Sequence, residues 1–202
     1  SLPFMHGQAM NPATEAGNRL SNTPSQCDDK RINLYVVSVS KFLLLYGFTA
    51  GGYMVYWSYR NWASYKAVSG ASITPGVRGV LWPFFILPLF EVVQNGLDRS
   101  GRYYFWQPET RGLVIMGLVM FLVLVNTFFT RPSDEAYVLF ANVALIAVCC
   151  AMLVAAQRAI NTLAGDPQGS LNKALNGINI AWMVVGALLM AAVAYVAFTG
   201  QR

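Results

Sequence analysis

Three stretches of this chain, 112–129, 136–157 and 175–198, contain no acidic or basic residue. Each is long enough to approach or cross a hydrocarbon core of about 30 Å. A helix closes its backbone hydrogen bonds on itself, so apolar runs of this length are solvated by lipid rather than by water. The rest of the composition agrees. Hydrophobic residues make up 55% of the 202 positions and charged residues 11%, against about 25% charged in a typical soluble domain. The chain reads as an integral membrane protein.

Two further apolar runs suggest five spans in all. The run 42–59 is the first. The second, 77–97, contains Pro83, Pro88 and Glu91, and is expected to kink because proline removes a backbone donor and crowds the preceding turn. The third, about 112–129, closes on a short turn at 130–134, and the fourth, 135–163, would reach about 43 Å as a helix. The fifth is 175–198. The expected fold is an all-α polytopic bundle, one transmembrane domain over 34–202 preceded by a polar, partner-held tail over 1–33 rich in Asn, Ser, Thr, Pro and Gly. Two small-residue patterns mark helix packing: Gly47 with Gly51, and Ala147, Ala151, Ala155 and Ala159 recurring every fourth residue.

The stretch from Lys41 and Phe42 through Thr49, Gly51, Tyr53, Tyr56, Trp57, Tyr59, Asn61 and Trp62 resembles a group of uncharacterised bacterial inner-membrane proteins, a domain of unknown function with a Thr-x-Gly-x-Tyr-x-x-Tyr-Trp signature. The resemblance covers residues 41–62. It implies a bacterial membrane origin, and no reaction or site comes with it.

Basic residues set the orientation. With five spans, Arg19, Lys30, Arg31, Arg99, Arg102, Arg111, Arg158 and Lys173 share one side with Lys41 at its boundary, and Arg60, Lys66, Arg78, Arg131 and Arg202 lie on the other. The positive-inside rule then puts the N-terminus in the cytoplasm and the C-terminus in the periplasm, with the first loop opposing the trend. The net charge of +5 comes from residues scattered singly between apolar runs, which argues against nucleic acid because no continuous basic face forms. Cys27, Cys149 and Cys150 offer no even disulfide framework, and His6 is the one histidine. No metal or cofactor site is expected from that inventory. The turn 164–170 lacks the lysine of a phosphate-binding loop and follows no strand, so it joins helices.

Amide and ionisable side chains inside spans are costly and therefore candidates for function. Glu91, Gln94, Asn95 and Asp98 fall on one helical face. On the five-span topology Gln157, Arg158 and Asn161, and then Asn176 and Asn179, arrive at the same level. A polar cluster is expected there, with Glu91 and Arg158 as an ion pair. Three functions stay open: a non-catalytic accessory or regulatory subunit bound to a protein partner or a second copy, a small transporter or channel with Glu91 in a hydrated cavity, and a membrane enzyme acting on lipid or quinone. The first is favoured, since acid-base chemistry would want a second positioned titratable group.

Overall fold

A computed structural model describes residues 34–128 and 135–199. The polar tail over 1–33, residues 129–134, on which the expected turn 130–134 falls, and residues 200–202 lie outside the described residues. The described chain is all-helical. Its helices are α1 (Val39–Phe48), α2 (Tyr53–Ser69), α3 (Pro75–Val80), α4 (Trp82–Ser100), α5 (Pro108–Phe128), α6 (Glu135–Ala164) and α7 (Gly177–Thr199), with a 3₁₀ turn at Ser170–Asn172. Three are long and apolar enough to cross a membrane, over Pro108–Phe128, Tyr137–Ala164 and Gly177–Val196.

The expected first span is not one helix. Its run breaks at Thr49–Gly52 into α1 and α2, and the chain reverses there. Ala50 and Gly51 both take positive φ, 48° and 85°, a region in which a Cβ clashes with the following carbonyl and which glycine enters freely. The Gly51 N–H donates to Tyr46 O at 2.9 Å. The Thr49 hydroxyl donates to Leu45 O at 2.7 Å and accepts the Tyr53 N–H at 2.9 Å, which satisfies the backbone on both sides of the tip. The two arms then run side by side. The Phe42 ring sits 5.8 Å from that of Tyr53 and 6.2 Å from that of Trp57, and Tyr35 meets Tyr56 edge to face at 6.0 Å. Gly51 therefore makes a turn rather than a helix-packing groove, and Gly47 has no neighbour where a side chain would stand.

The expected second span also divides, at Leu81 into α3 and α4. Leu81 breaks the pattern because Pro83 opens α4, while Pro88 is carried inside that helix. α3 folds back along α2: Ser58 Oγ donates to Arg78 O at 3.0 Å, and the Arg78 guanidinium lies 4.2 Å over the Trp62 ring. α4 then pairs with α5 through Trp106, whose ring is 4.8 Å from Phe90 and whose indole N–H donates to Gln94 Oε1 at 2.9 Å.

These pairings show how far each helix reaches. Leu87 lies against Gly112. From there α4 has five residues left, about 8 Å, while α5 runs on to Phe128, about 24 Å. At the tip of the first hairpin, Tyr46 Oη donates to Ile146 O at 3.3 Å, and α6 extends about 14 Å beyond that residue toward Tyr137. Two helical hairpins, α1–α2 and α3–α4, thus occupy one end of the bundle, and α5, α6 and α7 alone continue to the other.

The core follows the same division. Trp57, Trp62, Trp106, Phe42, Phe90, Leu153 and Ile160 are buried together at the hairpin end. On α6 the packed face is Cys149, Leu153, Ala156 and Ile160, with Ala159 beside it. Of the expected alanine stripe, Ala147 and Ala151 are exposed, Ala155 is half-buried and Ala159 is buried. The stripe is not the seam because the four-residue spacing drifts around the helix, whereas the buried set alternates steps of four and three.

Candidate functional site

The segment 34–38 enters the bundle without secondary structure. Irregular backbone at that depth persists only where protein satisfies its polar groups, and here side-chain amides do so. Tyr35 N–H donates to Asn61 Oδ1 at 3.1 Å, and Asn61 Nδ2 donates to Trp57 O at 2.9 Å. Gln157 Nε2 donates to Tyr35 O at 3.3 Å and to Asn161 Oδ1 at 2.8 Å, while its Oε1 accepts the Trp57 indole N–H. Asn161 Nδ2 donates to Val37 O at 3.0 Å and Asn172 Nδ2 to Val36 O at 3.0 Å. Ser38 closes the segment as the N-cap of α1, its Oγ accepting the Lys41 N–H.

Lys41 is buried at 5% exposure. Its ammonium donates to Asn172 Oδ1 and to Ala174 O, each at 2.8 Å. Two neutral oxygens hold this cation, and no carboxylate among the described residues bonds to it. Among the described residues the positive charge beside the N-terminal end of α7 has only these neutral partners.

The expected polar cluster separates into four parts. Gln157 and Asn161 belong to the buried network just described. Gln94 instead binds Trp106 and, at 2.8 Å, Asp98 Oδ1. Asn176 and Asn179 cap the start of α7 reciprocally, each side chain accepting the other's backbone N–H, at 3.2 and 2.8 Å. Glu91, Asn95 and Arg158 are exposed, and the Glu91–Arg158 ion pair is not formed. The reason is rotational: on α4 the buried face is Ile86, Leu89, Phe90, Val93 and Leu97, which turns Glu91 and Asn95 outward. Sequence reasoning missed Asn61 and Trp57, which lie in the run taken as a single span and its continuation, and the reversal at Gly51 is what brings them to Gln157.

The C-terminal helix leaves a cleft. Gly186 sits where a Cβ would fall on the Phe48 carbonyl, so α7 crosses the hairpin tip at backbone contact. Below and beside that crossing is a cavity of about 560 Å³, lined by Leu45, Tyr53, Tyr56, Asn179, Trp182 and Val185 among others. Among the described residues neither Glu91 nor any other carboxylate lines it. Tyr53 is 7% exposed, and its hydroxyl lies beside that of Tyr35 without a well-formed hydrogen bond among the described residues. Among the described residues no three His, Cys, Asp or Glu side chains come together. Comparison with protein families, with curated proteins and with solved structures gives no match.

Proposed function

We propose that this chain is a non-catalytic, partner-binding component of a bacterial inner membrane, with the hairpin end at the cytoplasmic face. The observation that carries the reading is the bare far half of α5, α6 and α7. Phe121, Leu124 and Phe128 on α5, Phe140 and Val143 on α6, and Leu188, Val193 and Tyr195 on α7 are all exposed, because the hairpins that wrap these helices at the near end stop short. Helices of other subunits associate on such faces by packing rather than by expulsion of water. The bacterial origin rests on the signature at 41–62.

The hairpins support the orientation. Each returns to the side it left, so Arg60, Lys66 and Arg78 join Arg99, Arg102, Arg111, Arg158 and Lys173 on one face. Only Arg131 and Arg202, outside the described residues, follow an odd number of crossings by α5–α7. A five-span topology left the first loop opposing the positive-inside rule; three spans and two hairpins remove that conflict.

A photo-crosslinking residue at Leu188 or Phe140, activated in native membranes, tests the function. Protein adducts, to a second copy or to another chain, are the expected result. Adducts to lipid alone, a monomer in mild detergent, and ion flux in liposomes that Glu91→Gln abolishes would together replace this reading with the transporter.

A further inference from the structure

We propose that the cleft between α7 and the α1–α2 tip is a binding site for one anionic phospholipid of the leaflet at the hairpin end. Its walls are graded. Along α7 the wall runs from Asn176 and Asn179 at the hairpin end to Val185 and Leu189 toward the middle of the bundle, with Leu45 and Tyr56 on the two hairpin arms facing it. From Asn176 to Leu189 the wall is about 20 Å long, the length of one extended acyl chain lying parallel to α7.

An extended hydrocarbon chain of that length, about 5 Å across at van der Waals contact, occupies roughly 400 Å³, and the cavity of about 560 Å³ accommodates it.

Charge decides the headgroup. Arg60 is exposed at the polar end, its guanidinium 5.9 Å from the centre of the Tyr56 ring that lines the cleft and 5.2 Å from that of Tyr35. Contact with two rings positions the guanidinium at this end of the cleft, and its planar set of N–H donors suits a phosphate. Lys41, one turn from Leu45 on the same face of α1, adds a buried positive charge whose partners among the described residues are neutral. Among the described residues the cleft lining contributes no negative charge to offset either.

The test uses the full chain, purified in mild detergent and stripped of lipid, with phosphatidylglycerol, phosphatidylcholine of the same chains, and inorganic phosphate as probes. Binding is read by native mass spectrometry and by the shift in Tm. The expected result is that phosphatidylglycerol binds at one per chain about tenfold tighter than phosphatidylcholine, the size of a lost charge-assisted contact, and that inorganic phosphate alone gives no shift. Arg60→Gln, at an exposed position, removes the preference and leaves binding at the phosphatidylcholine level. Val185→Trp fills the cleft and lowers binding of both lipids, with near-ultraviolet circular dichroism confirming that the variant folds. Equal affinity for the two lipids in the unaltered chain, a phosphate shift matching that of phosphatidylglycerol, or an undiminished preference in Arg60→Gln would overturn the assignment.

Discussion

The backbone N–H of Tyr35 donates to the side-chain oxygen of Asn61 at 3.1 Å, across 26 positions of chain. Had residues 42–59 crossed as one helix, these two groups, which flank it, would be held apart by its length of about 27 Å. Their contact shows that the chain rises, turns at Thr49–Gly52 and returns to the level at which it began.

The hairpin makes a topological prediction. In a background without Cys27, Cys149 and Cys150, cysteines introduced at Ser72 and at Ser100, both exposed, should react with a membrane-impermeant maleimide from the same side. A five-span chain would place them on opposite sides, so opposite labelling would reject the reversal at Gly51.

Gln157 holds three groups at once: the Trp57 indole, the Tyr35 carbonyl and the Asn161 amide. Gln157→Leu strands them in a buried site, at about 1–3 kcal/mol per group. We expect a loss of several kcal/mol in denaturant titrations of the micelle-bound protein. Glu91→Gln, on an exposed face, should stay within about 0.5 kcal/mol of the unaltered chain.

Gly186 permits the crossing of α7 over Phe48. Gly186→Val would place side-chain atoms on the Phe48 carbonyl, and overpacking of this kind costs about 1–3 kcal/mol. Limited proteolysis should then release α7 at the loop 173–176 faster than in the unaltered protein, with cleavage elsewhere unchanged.

The loop after α6 carries a pH response. Asp166 accepts the Leu171 N–H and the Ser170 hydroxyl, each at 2.9 Å, and these bonds, the Leu171 N–H foremost, hold its carboxyl below the usual carboxylate value. A carboxylate with a depressed folded value contributes stability at neutral pH, and that contribution disappears as pH falls through the folded value. Amide exchange at Leu171 should therefore quicken on acidification after correction for intrinsic rates. Asp166→Asn should exchange faster at neutral pH and lose most of the acid dependence.

Composition made the three long helices legible, because hydropathy over 112–129, 136–157 and 175–198 needs no knowledge of contacts. It could not distinguish a span from a hairpin over 42–59, since hydropathy carries no direction. The available signal was local: Thr49, Ala50, Gly51 and Gly52 together make a turn, overridden by the apolar residues around them. The candidate site was half legible for the same reason. Gln157 and Asn161 lie four apart on one helix and were grouped correctly with each other. Their partners Trp57 and Asn61 become neighbours only once the chain reverses, and the outward rotation of Glu91 is set by which face of α4 meets α2, α5 and α6.

The half-length hairpins also give the described helices a cross-section that changes with depth. Seven of them displace lipid from one leaflet and three from the other. Such a taper has its lowest elastic cost where the broader leaflet is the outer side of a bend. If the broad end faces the cytosol, as proposed, membrane bulging toward the cell interior meets that condition, and the two hairpins would couple this protein's distribution to curvature.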